Sequence, residues 1–486
     1  MTLARIFEFA RTTPKRIAFT LDGQPITYVA FARRIASART FLVTQNLPAE
    51  GLIIVCMSDL ADAWSTVLAL HSLGHVTACI GGIPELRHFE KDKIGSVIVR
   101  GGERRPALPD VARKMGFRHF EMPADLAAGD NDEGLALKWV SSGGHLVFTS
   151  GTTGVIKKIL IDTANEDAHI AQRLEAFDIK PDSIVNMFDW ARWSSVGYTV
   201  PLGVWSLGAR LVFCKKMKKR ESLAYDGTTH AISTPDMVAE IATSAPGAVP
   251  RQNAFRLYVG GGPLPQALAD AALARITKQL YTMVGSTEAG VWCVTPIRSA
   301  PDVTSHVIAP SRVVEVVDDD GKPLPPGETG LVRIRVLKNT TKYFGDEETT
   351  QNFFRNGFFF PGDLGVFDAT GRLTLQGRVT DIVYAKGMKL AVAPLERRIQ
   401  DRLGALDVCI FSAQIGRLDE ELWVAVQGTP SLDDAALKVI ASEELARFPR
   451  VHFRFLPEFP KNDRGKVMRN ELKEKVLSRQ GSPAPR

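Results

Sequence analysis

Phe148-Thr149-Ser150-Gly151-Thr152-Thr153-Gly154-Val155-Ile156-Lys157-Lys158 is the stretch from which the fold can be read. It follows the apolar run His145-Leu146-Val147-Phe148, which predicts a strand end. Glycines let backbone N–H groups approach an anion closely, and Ser or Thr hydroxyls add donors. A lysine after them supplies a point charge for phosphate. A plain surface loop uses the same residue types. The lysines placed directly after the cluster favour a phosphate loop. A Walker A loop is excluded, because Val155 and Ile156 separate Gly154 from Lys157.

Working outward, the chain before this loop alternates short apolar runs with helical spacing. Ile17–Thr20 and Ile26–Tyr28, joined at Asp22-Gly23, read as a hairpin. Phe31 to Leu42 has helical spacing, Leu52–Met57 is a continuous apolar strand, and Ala61 to Leu73 is again helical. Val97-Ile98-Val99, Leu211-Val212-Phe213, Ala231-Ile232-Ser233 and Leu257-Tyr258-Val259 are further candidate buried strands. Apolar strands alternating with helices imply parallel sheets covered on both faces. His71 and His75, flanking Gly74, read as helix-end histidines without a catalytic role.

Five later motifs carry chemistry. Leu257-Tyr258-Val259 runs into Gly260-Gly261-Gly262, which marks a close backbone approach. Leu280–Val284 enters Gly285-Ser286-Thr287-Glu288, whose glutamate taken alone could cap a helix. Phe358-Phe359-Phe360-Pro361-Gly362-Asp363 is followed by Gly377-Arg378-Val379-Thr380-Asp381 and Gly387. Near the end stands Pro460-Lys461-Asn462-Asp463-Arg464-Gly465-Lys466-Val467-Met468-Arg469. Taken singly, each is a turn, a cap or a basic loop.

Taken together and in order, they resemble the adenylate-forming superfamily. That family holds acyl- and aryl-CoA synthetases, adenylation domains of nonribosomal peptide synthetases, and beetle luciferases. The resemblance implies a mixed α/β fold with a large N-terminal domain, residues 1–379, of parallel-rich sheets flanked by helices. A β-rich subdomain, 312–379, would close it, and a small mobile α+β domain, 380–486, would act as a lid. By the same resemblance Thr149, Ser150, Gly151, Thr152, Thr153, Gly154 and Lys157 would cradle the phosphates of ATP. Gly260 and Gly261 would border the adenine and the acyl pocket. Thr287 would contact the AMP phosphate, Glu288 would help hold Mg²⁺, Asp363 would chelate the ribose hydroxyls, and Arg378 would bind phosphate or ribose. Lys466 would be the adenylation lysine, so its loss should hurt the first half-reaction most. The implied activity converts a carboxylic acid to acyl-AMP and then to a thioester with CoA. Loading of a carrier protein in trans and a non-ligating, luciferase-like relative stay open.

The segment Met187-Phe188-Asp189-Trp190-Ala191-Arg192-Trp193 is a candidate wall for the acyl group. By the same resemblance Asp189, after Phe188, matches the amino-group-binding Asp of amino-acid-activating domains, but the distance to Gly208-Ala209 is several residues too long for that register. That favours a non-amino acid, aryl or short-to-medium acyl, with Asp189 an ordinary loop acid. Arg192 reads as a surface residue, with pairing to a second substrate carboxylate as the alternative.

Bulk composition agrees with this class. The 486 residues are 45% hydrophobic and 23% charged, room for two or three globular domains. A net charge of +6, from 60 basic and 54 acidic residues, is mild and argues weakly for nucleic acid. Part of it lies in Lys215-Lys216-Met217-Lys218-Lys219-Arg220, which reads as a solvated loop. The 5 cysteines are scattered without metal or disulfide spacing, as in a reduced cytoplasmic protein. No apolar run approaches the roughly 20 residues of a membrane span.

Overall fold

The computed structural model describes residues 2–90, 93–103, 105, 107–126, 132–135, 139, 141–149, 157–190, 194–224, 227–243, 255–338, 340, 342–379, 382–385, 388–403, 407–415, 419–428, 443, 445, 451–461 and 467–478. The apolar runs form two parallel-rich sheets. One is 8-stranded and the other 6-stranded. In the larger sheet, strands Ile17–Leu21, Arg210–Phe213, Ile184–Phe188, His230–Ser233, Arg256–Val259 and Gln279–Ser286 run parallel. Antiparallel strands Gln24–Thr27 and Gly290–Pro296 close its two edges. In the smaller sheet Leu52–Cys56, Val76–Cys79, Ile94–Arg100, Arg118–Met122 and Gly144–Thr149 are parallel, and Lys157–Asp162 returns antiparallel at the edge.

Helices lie between the sheets, and the largest apolar cluster explains why. Phe7, Phe31, Trp64, Tyr198 and Trp205 come from helices Thr2–Thr12, Tyr28–Val43, Leu60–Ser72 and Ser195–Ser206. They meet Phe19 of the larger sheet and Val147 of the smaller in one cluster. Trp64 and Trp205 pack edge to face at 5.0 Å, with Phe31 4.8 Å from Trp205. Burying such rings is the dominant stabilising term, about 25 cal/mol per Å² of apolar surface. His71 belongs to this core. Its Nε2 lies 2.9 Å from Thr77 Oγ1, which lies 2.7 Å from His145 Nδ1. Burial holds His71 down at about 4, a neutral structural histidine.

The change of texture after Arg312 becomes a 7-stranded sheet in which every pairing is antiparallel. Beyond it come a 2-stranded hairpin, Ile382–Ala385 with Met388–Ala391, and a 3-stranded sheet of Asp407–Ile415, Asp419–Gln427 and Val451–Leu456. Helices Val392–Leu403 and Arg469–Ser478 pack on that last sheet through Leu395, Ile399, Leu472 and Val476. No helix among the described residues is long and apolar enough to cross a membrane. All five cysteines are free and buried.

Candidate active site

Parallel strands put their carboxyl ends on one side of a sheet, and loops there gather ligands. The quoted loop leaves such an end. Thr149, 7% exposed, ends its strand with its Cα opposite that of Lys157, so residues 150–156 join the two strands of an edge hairpin. Ser150, Gly151, Thr152, Thr153 and Gly154 lie outside the described residues, as does Lys466.

Lys157 is where the hairpin meets the other motifs. Its ammonium sits 3.5 Å from the centroid of Phe353 and 5.1 Å from that of Tyr343. Burial lowers its pKa; Glu288 and Asp346 oppose that shift, and Arg378 adds to it. A lysine within electrostatic reach of Glu288 and Arg378 ties three of the sequence motifs to one place.

Glu288 follows the strand Gln279–Ser286, which shifts register between Val284 and Gly285. A Cβ on Gly285 would stand 2.7 Å from the Gly290 carbonyl oxygen, so glycine permits this tight return. Thr287 and Glu288 are 8% and 6% exposed. The Tyr343 hydroxyl donates to Glu288 Oε1 at 2.7 Å, and burial followed by Glu288 raises the tyrosine pKa well above its ordinary value. The turn is braced from behind. Gln172 Nε2 donates to the Val291 carbonyl at 2.5 Å, and Val291 N–H donates back to Gln172 Oε1 at 3.1 Å. Arg173, 1% exposed, donates to Gln172 Oε1, Ser195 Oγ and Thr199 Oγ1 at 3.2, 3.0 and 3.1 Å.

Gly260 and Gly261 end the neighbouring strand. A Cβ on Gly260 would meet Met283 Cγ at 2.5 Å, and Gly261 has φ +88. Both positions therefore require glycine. Asp363 and Arg378 face each other across two antiparallel strands, with Arg378 Nε donating to Asp363 Oδ1 at 3.0 Å. This bond orients the Asp363 carboxylate. Asp189 stands apart: 46% exposed at its side chain and 3.7 Å from Lys219, it is a surface acid.

No group of three or more His, Cys, Asp or Glu among the described residues could hold a metal alone. A magnesium ion fits Glu288 nonetheless. That cation commonly takes one or two carboxylates and completes its shell with phosphates and water. Glu288 is buried at a strand-end turn, beside the Thr287 hydroxyl and within reach of Lys157.

Flanking Lys466, Lys461 and Val467 form an antiparallel bridge. Lys461 pairs with Asp407 at 2.7 Å, and Arg469 with Glu396 at 2.5 Å. Tyr343, Phe353 and Gln172 were not singled out by the sequence. Tyr343 and Gln172 reach the site over 55 and 119 residues, and neither belongs to a local pattern.

The chain is similar to known proteins in sequence and in fold. Residues 144–344 match the family described as AMP-binding enzyme. A fatty acid–[acyl-carrier-protein] ligase, ScoC, of Streptomyces coeruleorubidus is 24% identical over 68% of this chain and 66% of its own length. Among solved structures, ATP-bound MatB from Rhodopseudomonas palustris superposes with TM-score 0.82 at 20% identity, covering 98% of this chain and 99% of that one. The O-succinylbenzoate coenzyme A synthetase MenE from Bacillus subtilis, in complex with ATP and magnesium ion, gives TM-score 0.80 at 19% identity, covering 97% and 99%. At these identities the likeness to the solved structures is one of fold.

Proposed function

We propose that this chain, whose residues 144–344 belong to the AMP-binding enzyme family, activates a carboxylic acid with ATP and passes the acyl group to a thiol. The observation that carries this reading is the buried Glu288 carboxylate within electrostatic reach of Lys157, the first residue of the hairpin's return strand. The two opposite charges suit a metal-bound polyphosphate.

A carboxylate is a poor acyl donor because an oxide would have to leave. Its oxygen attacks the ATP α-phosphorus, a new P–O bond forms, and the bond to pyrophosphate breaks. The product, acyl-AMP, has a good leaving group. Charge collects on phosphate oxygens during this step, and fixed cations placed there in advance stabilise it. Lys157 and the donors of 149–154 take that role, with Lys466 completing it. Glu288 would hold a magnesium ion, which would supply further neutralisation of phosphate charge. Asp363, oriented by Arg378, holds the ribose, which contributes the positional part of the rate. The thiol then attacks the acyl carbon, its proton is lost, and AMP departs. Residues 380–486 would move between these steps as a small C-terminal lid, carrying Lys466 out of the site.

CoA is the proposed thiol, with an aryl or short-to-medium acid, in the cytoplasm. A carrier-protein phosphopantetheine is the second reading, favoured by the likeness to an acyl-carrier-protein ligase. Incubation with ATP, Mg²⁺, an acid panel and either CoA or a phosphopantetheinylated carrier tests both. Acid-dependent AMP with acyl-CoA on mass spectra supports the first, and acylated carrier alone supports the second. AMP formation that ignores the acid contradicts the proposal.

A further inference from the structure

Lys157 is half-buried and Glu288 buried; they are opposite in charge and within electrostatic reach, yet among the described residues no salt bridge joins them. Tyr343 contacts both. Its hydroxyl is spent on Glu288 Oε1 at 2.7 Å, and its ring flanks the Lys157 ammonium at 5.1 Å. Phe353 covers the ammonium from another side at 3.5 Å and meets Tyr343 nearly edge to face, at 80°. An ammonium over aromatic faces keeps its charge while having no counter-ion.

The tyrosine is itself fixed from both sides. Its N–H donates to Thr350 Oγ1 at 2.9 Å, and the next residue, Phe344, donates its N–H to the Lys158 carbonyl at 2.8 Å. The second bond joins the segment to the return strand of the phosphate hairpin. Tyr343 is 3% exposed, so water does not compete for its hydroxyl.

We infer that Tyr343 is a positioning residue that keeps Lys157 and Glu288 from neutralising each other, so that the ammonium stays available to phosphate and the carboxylate to the cation. The hydroxyl and the ring have separable tasks. The hydroxyl occupies Oε1 and leaves the other carboxylate oxygen for a metal. The ring keeps the ammonium at a distance and offers it a face in place of a carboxylate. This inference rests on the adenylation reading, because it takes phosphate and magnesium as the awaited partners.

Two variants separate the tasks. Tyr343→Phe keeps the ring and removes the hydroxyl. Tyr343→Leu removes both. ATP affinity is measured by calorimetry on the full chain, once in EDTA and once with Mg²⁺. For Y343F, affinity in EDTA stays within about two-fold of the unaltered chain while the gain on adding Mg²⁺ falls roughly ten-fold, the worth of one hydrogen bond to a charged group. For Y343L, affinity in EDTA falls as well, because Lys157 can then pair with Glu288. A purely structural tyrosine would lower stability and leave the Mg²⁺ gain of Y343F unchanged, and that result overturns the inference. So does unchanged metal-free affinity in a folded Y343L. Pyrophosphate release by the unaltered chain is scored separately. If none appears with any acid while the Y343F effect holds, the ligase reading fails and the tyrosine's role stands. If the unaltered chain binds no ATP under either condition, both fail.

Discussion

A carboxylate that serves a cation has to be ionised, correctly aimed and not already neutralised. In the proposed reading Glu288 is that carboxylate, and two contacts bear on it: Tyr343 fixes one oxygen, and Lys157 is held against Phe353. Glu288→Gln keeps the shape and removes the charge. Loss of metal-assisted stabilisation worth several kcal/mol lowers acid-dependent pyrophosphate release by on the order of 100-fold or more. Steady-state assays over a range of Mg²⁺ check this, and a variant within two-fold of the unaltered chain would remove Glu288 from the site. At this scale the sequence marks Glu288, Asp363, Arg378 and Lys157 because each sits in a short pattern with its own chemistry. It does not mark Tyr343, Phe353 or Gln172. A lone tyrosine or glutamine has no local signature, and its meaning comes from contacts made across the fold.

Elements turn these residues into a site, and the turn from Ser286 to Gly290 shows how. Gly290 has φ +73, and a Cβ there would stand 2.7 Å from Gln172 Oε1, the atom that accepts the Val291 N–H. Gly290→Ala therefore costs about 1–2 kcal/mol for the left-handed backbone and displaces the brace behind Glu288. A lowered unfolding midpoint together with a weaker response to Mg²⁺ is the expected result. A fall in stability alone would mean that the brace does not matter to the carboxylate. Apolar runs located nearly every strand named from sequence, since a strand buried on both faces must be apolar throughout. The strand holding the Gly285 motif runs to Ser286, past the run Leu280–Val284. Its last part lacks the apolar signal because it is not packed: Gly285 is exposed and Ser286 half-buried.

Across the whole molecule, buried histidines set the acid limit of stability. Burial lowers His71, His230 and His306 to about 4 and His169 to about 3. Each folded value lies below the ordinary value near 6.5. Between the two, the unfolded chain binds more protons, so stability rises with pH. The contribution is complete above about pH 6.5 and is lost as pH falls toward about 4. Burial raises Asp62 and Glu166, which act in the opposite sense at lower, carboxylate pH. Melting at pH 7.5 and pH 5.0 at constant ionic strength should show a clearly lower midpoint in acid; equal midpoints would contradict these burials. The two-sheet core was legible because it follows from period and apolarity. The proposed lid role of residues 380–486 was not legible in this way, since a movement would leave no periodic trace.

The central claim is that an acid and ATP react here before any thiol is involved. ATP–pyrophosphate exchange, measured without a thiol across aryl, fatty, dicarboxylic and amino acids, tests it most directly. Exchange that requires both Mg²⁺ and one class of acid, and that falls sharply in Lys466→Ala, is the result expected. Exchange independent of acid, or undiminished without Lys466, would contradict the account.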